Sequence, residues 1–179
     1  ALLDFPLHKF KMYMGVEVKI TNADELSKIR EMEMNILKDK IEKIIAAGAT
    51  CVFTTKGIDD LAAKYFVQKG ILAVRRVSEK DLKNLAKVTG GTIQITLGTM
   101  DGEEKFDSTA LGFAEEVVEE RVGDNDHVFV RGCKQTKSST ILLRGANEYM
   151  LDEVERSIHD ALCGVSRTLE SAAVVPGGG

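Results

Sequence analysis

The chain has no tryptophan, only two prolines, three cysteines and three histidines in 179 residues. Each scarcity excludes something. Without Trp, and with aromatics at 6%, it offers little for bases to stack on. A formal net charge of −4 argues further against nucleic acid, which selects a basic face. Cys51, Cys133 and Cys163 are odd in number and widely spaced, which makes a disulfide framework an unpromising reading and fits a reducing cytoplasm. No apolar run approaches the ~20 residues of a membrane span. His8, His127 and His159 fall in a strand–loop junction, a hairpin and a helix, with none of the nucleophile–base–orienter grouping that covalent catalysis needs. The chain opens on Ala1 rather than Met and stops on three glycines, as expected of a piece of a longer polypeptide.

What the chain does have is a methionine-rich segment running into a long charged helix. Phe10, Met12 and Met14 alternate with Lys9, Lys11 and Tyr13, so an extended backbone would turn the three apolar side chains to one side. A strand is expected at Val16–Ile20. Asn22 then serves as N-cap, with Glu25 at the third helical position. The helical pattern runs on to Gly48, on the order of 35–40 Å at 1.5 Å per residue. Its second half carries the cleaner apolar stripe, Leu37, Ile41, Ile44 and Ile45. The first half is dominated by Lys28, Arg30, Glu31 and Glu33, as befits a projection. Methionine is flexible and polarizable, which suits a surface that must fit many partners.

Elsewhere strands and helices alternate. Leu2–Leu7 reads as a buried strand interrupted by Pro6, and Cys51–Thr54, Leu72–Val77 and Thr92–Thr96 as further strands. Between them fall helices at Asp59–Lys69, ended by Gly70, and at Ser78–Thr89, capped by Ser78 and ended by Gly90. The alternation predicts an α/β fold with βαβ units and a partly parallel sheet. A polar connection, Leu97–Gly112, leads to a hairpin of Val117–Val122 and His127–Arg131. A strand at Thr140–Arg144 precedes a final helix whose Leu151, Val154, Ile158, Leu162, Val165 and Leu169 form one apolar face.

Each candidate for chemistry has a plainer reading. His159 and Cys163 lie one helical turn apart and could face one metal, but two ligands do not close a site, and Cys163 reads as a small core residue. Gly90-Gly91 lacks the lysine of a phosphate-binding loop. Arg75-Arg76 is expected to pair with Asp59, Asp60 or Glu79. Glu115, Glu116, Glu119 and Glu120 read as a solvated strand edge. In the helix from Asp59, the stripe Leu61, Ala62, Tyr65 and Phe66 is expected to face the core. Asp60, Ala63, Lys64, Val67 and Gln68 lie on the other side, a small apolar patch framed by charge.

Several further strings carry a resemblance. Gly57-Ile58-Asp59-Asp60, Ala73-Val74-Arg75-Arg76-Val77, Leu143-Arg144-Gly145-Ala146-Asn147, Asp152 to Ser157 with His159-Asp160-Ala161, and Val174-Val175-Pro176 with the final glycines resemble the group II chaperonins, in order and along essentially the whole chain. The likeness is to the apical domain of the eukaryotic cytosolic chaperonin (CCT, or TRiC). The wording of Leu143–Asn147 and Thr168–Ser171 is most similar to that family's alpha-subunit branch. An archaeal thermosome apical domain is the alternative, with which three free cysteines sit poorly.

The resemblance implies a mixed β-sheet core flanked by helices, with a helical protrusion. Residues 1–179 would form one apical domain that binds non-native polypeptides such as actin and tubulin. Residues of about 10–36, including Phe10, Met12, Tyr13, Met14, Met32 and Met34, would be the lid-forming protrusion. Client contacts would fall on Leu7, Lys9 and Lys11 of one wall of a groove, and on Asp60, Ala63, Lys64, Val67 and Gln68 of the helix opposite. Pro176, Gly177, Gly178 and Gly179 would be a hinge toward the intermediate domain. Sister subunits in a hetero-oligomeric double ring are implied partners, as is prefoldin. ATP and Mg would be bound and hydrolysed by the full-length subunit, leaving this chain without cofactor or ATPase activity. The rival readings are a nucleotide-binding enzyme of βαβ type, and a module whose protrusion serves only lid assembly between subunits.

Overall fold

The computed structural model describes residues 1–9, 23–98, 104–135 and 138–177. Lys11, the methionine-rich segment from Phe10, the strand expected at Val16–Ile20, the Asn22 cap and Gly178–Gly179 therefore lie outside the described residues. The chain divides into two units, Ala1–Ser138 and Ser139–Gly179.

The first unit is built on a four-stranded parallel sheet. Its strands are β1 (Leu2–Leu3), β2 (Cys51–Thr54), β3 (Leu72–Val74) and β4 (Ile93–Gln94), in the order β3-β2-β1-β4. Three helices connect them: α1 (Ala23–Ala46), α2 (Asp60–Gln68) and α3 (Glu79–Thr89). An antiparallel hairpin, β5 (Glu116–Val122) and β6 (Asn125–Arg131), follows. The expected mixed α/β architecture with a parallel sheet is what forms.

Side chains alternate across a strand, and the register uses both faces. Leu3 and Val52 join Leu37, Ile41 and Ile44 of α1 and Ala62 and Phe66 of α2 in one apolar cluster. Leu2 and Phe53 join Leu82 of α3 in another, with Val117, Val128 and Val130 of the hairpin packed against it. Phe66, Leu3, Ile41 and Ile44 are each at most 1% exposed. Such burial stabilises by roughly 1.5–3 kcal/mol per large side chain. The sheet is thus covered on both sides, as parallel sheets require.

Local chemistry sets the helix ends. Ser78 Oγ accepts from Asp81 N (3.1 Å) and caps α3, and Gly90, at φ +73°, closes it. After α1, Gly48 at φ +97° turns the chain, and Ala49 N donates back to Ile44 O (3.4 Å). After α2, Gly70 at φ +69° plays the same part, and Ile71 N donates to Phe66 O (2.9 Å). Both exits have the pattern of a Schellman closure, in which glycine tolerates the left-handed turn and an apolar residue follows into the core.

Several expectations need correction in this unit, the first being the strand from Leu2, which ends at Leu3 rather than Leu7. The strand from Leu72 stops at Val74, because Arg76 adopts φ +57° and leaves the ladder. Among the described residues Arg75 and Arg76 make no ion pair with Asp59, Asp60 or Glu79. The acidic run is not merely a solvated edge, since Glu116 and Glu120 both hold Arg131 across the hairpin, at 3.2 and 2.9 Å.

The second unit holds α4 (Glu148–Ser171), capped by Asn147, whose side chain accepts from Tyr149 N (3.0 Å). The strand expected at Thr140–Arg144 is absent: the segment is irregular, and Ile141 and Leu142 are exposed. A strand exists only with a ladder partner, and none among the described residues pairs with this segment. The apolar row along α4 is as spaced in the sequence, yet Val154, Leu162, Val165 and Leu169 are exposed. Cys163 is also exposed rather than in a core, with Sγ 3.6 Å from His159 Nε2. Pro176 and Gly177 of the expected hinge are exposed and follow the helix outside any regular element.

Candidate functional site

The segment before Phe10 and the start of α2 are held side by side by backbone bonds. Leu7 N donates to Gly57 O (3.0 Å) and Asp59 N donates to Leu7 O (2.8 Å), forming an isolated parallel bridge between Leu7 and Ile58. One strand position upstream, Thr54 Oγ1 donates to Phe5 O (2.9 Å). Thr54 is wholly buried, so this bond satisfies a group that would otherwise destabilise the core. His8 and Lys9 emerge from this clamp into solvent.

Leu7 itself does not emerge. It is 1% exposed and packs in the cluster with Ile58 and Phe66. Leu7 is therefore corrected from a contact residue to an anchor: its burial fixes where His8 and Lys9 come out. On α2, Asp60, Lys64, Val67 and Gln68 are exposed, and Val67 is 76% exposed. An apolar β-branched side chain this open has no packing role in the unit. Ala63 is half-buried against the core rather than fully on the open face.

The remaining face of α2 differs from the sequence reading. Ala62 and Phe66 are buried, but Leu61 is 38% exposed and Tyr65 is half-buried. Both turn toward α1, where Tyr65 Oη donates to Glu42 Oε1 (2.5 Å). That hydrogen bond pushes the phenol above its usual range, with desolvation and the carboxylate charge adding to it. Lys69 Nζ sits 5.6 Å from the centre of the Tyr65 ring. Between the two helices lies a concavity of about 250 Å³. Four apolar residues at adjacent helical positions made one broad stripe in the sequence. The buried line is only wide enough for two, and that width was the available signal.

A second concavity, about 280 Å³, lies on the other side of the Leu7 clamp, between Phe5, His8, Lys9, Lys40, Leu97 and Glu104. Glu104 bridges Lys40 and Lys43 of α1, both at 3.3 Å. Partial burial works to raise its pKa, but the two lysines outweigh that and hold it below the usual carboxylate range. This ties the connection after β4 to the rooted half of α1. On the upper half of that helix, Met32 is 62% exposed and Met34 is half-buried. No cluster of three or more metal-ligating side chains occurs among the described residues, and none of the described helices is long and apolar enough to cross a membrane.

The chain is similar to several known proteins. It is 56% identical to T-complex protein 1 subunit alpha of Dictyostelium discoideum, over 100% of this chain and 32% of that protein. It is 47% identical to the thermosome alpha subunit of Archaeoglobus fulgidus, with the same coverages. The fold matches an open-state monomer of a group II chaperonin from Methanococcoides burtonii with a TM-score of 0.66 at 34% identity, covering 90% of this chain and 32% of that one. The chain spans about a third of the length of the curated relatives it matches. The profile of the TCP-1/cpn60 chaperonin family matches residues 1–179. The chain belongs to the TCP-1/cpn60 chaperonin family.

Proposed function

We propose that the chain is the apical, client-binding domain of a eukaryotic cytosolic chaperonin subunit, and that α2 with the adjoining His8–Lys9 segment is its client-binding surface. The observation that carries this reading is Val67, an apolar side chain left 76% exposed among Asp60, Lys64 and Gln68. A non-native chain offers apolar groups beside polar ones, and this surface answers with the same mixture. Weak contacts of this kind release readily when the site is covered. Residues of about 10–36 act as the lid protrusion, and 174–179 as the hinge toward the rest of the subunit. In that setting the full-length protein binds ATP and Mg, assembles with sister subunits in a double ring in the cytoplasm, receives clients of the actin and tubulin class, and meets prefoldin. The chain on its own hydrolyses no ATP.

Met32 favours a second reading, in which the exposed half of α1 serves contact between subunits and α2 is scaffold. NMR chemical-shift mapping with a non-native actin or tubulin peptide separates the two. Saturable shifts at Asp60, Lys64, Val67 and Lys9 support client binding. Shifts confined to Met32 and Met34, or none in the folded chain, leave only the assembly reading.

A further inference from the structure

We propose that His159 and Cys163 on α4 form a two-point chelate for zinc or a similar thiophilic divalent ion, with water or a small thiol filling the remaining positions. The pair lies in the second unit, and the client-binding reading makes no use of it.

Residues four apart on a helix are neighbours on its surface, one turn above the other. Here Cys163 Sγ and His159 Nε2 converge to 3.6 Å, and both residues are exposed. Zinc binds imidazole nitrogen at about 2.0–2.1 Å and thiolate sulfur at about 2.3 Å. At the tetrahedral angle those bonds set nitrogen and sulfur about 3.5–3.6 Å apart, whereas a linear arrangement needs about 4.3–4.4 Å. The observed spacing is the tetrahedral one. In the metal-free chain the thiol and the imidazole hydrogen-bond across that gap, so the two ligand atoms are held together before an ion arrives. Cys51 and Cys133 differ: both are half-buried, and neither meets a histidine among the described residues.

Binding needs no oxidant. The thiol S–H bond breaks, its proton passes to water, and the sulfur and the neutral Nε2 each donate a lone pair to the ion. Charge on the helix assists a dication, since from Asp152 to Glu170 five carboxylates stand against two arginines. Arg156 and Arg167 are each paired with a glutamate of their own helix, Glu153 at 2.9 Å and Glu170 at 2.8 Å. No third protein ligand joins the pair among the described residues, which leaves coordination positions open and the ion exchangeable. Nitrogen and sulfur donors select zinc over magnesium, which takes oxygen.

The test follows alkylation of each cysteine by iodoacetamide in the reduced 179-residue chain, with the three sites resolved by peptide mass spectrometry. Zinc is expected to slow the reaction at Cys163 saturably, about ten-fold at ten times the midpoint concentration. Magnesium is expected to leave it unchanged. His159→Ala should lose the zinc protection with circular dichroism unchanged, because the imidazole is exposed. Cobalt added to the chain should give a thiolate charge-transfer band that Cys163→Ser lacks. No protection with zinc at about 1 mM overturns the proposal. So does protection that persists in His159→Ala, that magnesium reproduces, or that extends equally to Cys51 and Cys133.

Discussion

Phe66 and Val67 are neighbours on α2 with opposite fates, and substituting each to alanine tests the orientation on which the site depends. Phe66 is 0% exposed in the cluster that joins α1, α2 and the sheet. Emptying such a position costs about 3–5 kcal/mol, the lost transfer energy plus the residual cavity. Val67 is 76% exposed, so its lost burial is a few tenths of a kcal/mol, at about 0.8 kcal/mol per buried methylene. Alanine's better helix propensity returns an amount of about the same size. The expected result is a large fall in the urea midpoint for Phe66→Ala and almost none for Val67→Ala, followed by circular dichroism at constant m-value. A loss above about 1 kcal/mol for Val67→Ala would show that this face is packed rather than presented. A loss below that for Phe66→Ala would show that α2 is not anchored where we place it.

Other substitutions probe single features. Ser78→Ala removes the cap of α3 and should cost about 0.5–2 kcal/mol in denaturant unfolding, whereas Ser78→Gly should cost only a few tenths. Gly91→Ala places a methyl 2.7 Å from Gly112 N, backbone against backbone, and should destabilise by about 1–3 kcal/mol, with amide shifts around Thr89 and Phe113. Glu104 has a folded pKa below its unfolded value, so its contribution is present above about 4.5 and lost as pH falls through the lowered value. Its side chain is about a third exposed, and screening keeps the contribution under about 1 kcal/mol. Glu104→Gln should therefore flatten the acid limb of a Tm-against-pH curve, and parallel curves for the two proteins would contradict the bridge.

The features legible in the sequence were those decided within a turn or two of chain. Ser78, Gly48, Gly70 and Gly90 ended or began helices because caps and left-handed turns are local chemistry. Cys51–Thr54 is legible to the residue, and the hairpin is recognisable from Gly123-Asp124, although its second strand starts two residues closer to the turn, at Asn125. What escaped was decided by partners distant in sequence. Thr140–Arg144 has β-forming residues but no ladder partner among the described residues. Leu7 reads as buried from its own residues, and only the resemblance placed it among the contacts; its bridge to Ile58 keeps it in the core. Tyr65 reads as core until Glu42, on another helix, offers its hydroxyl a carboxylate. Of the candidate site, the charged positions were legible because charge stays in water. The concavity was not, because it needs two helices.

The placement of β1 has a consequence for how the molecule comes to exist. Two residues, Leu2 and Leu3, carry ladders on both edges, to Phe53 and Thr54 on one side and to Ile93 and Gln94 on the other. Every strand contact in the sheet is parallel and spans at least one intervening helix, so loop closure precedes any reward from pairing. The β5–β6 hairpin and the helices draw on local contacts and can form early. Until Ile93 has been made and delivered, the edge of β1 that β4 will occupy stays open, and open edges invite association with other chains. A protein from a family of folding machines thus passes, during its own synthesis, through a state with an exposed strand edge and an unfilled apolar face.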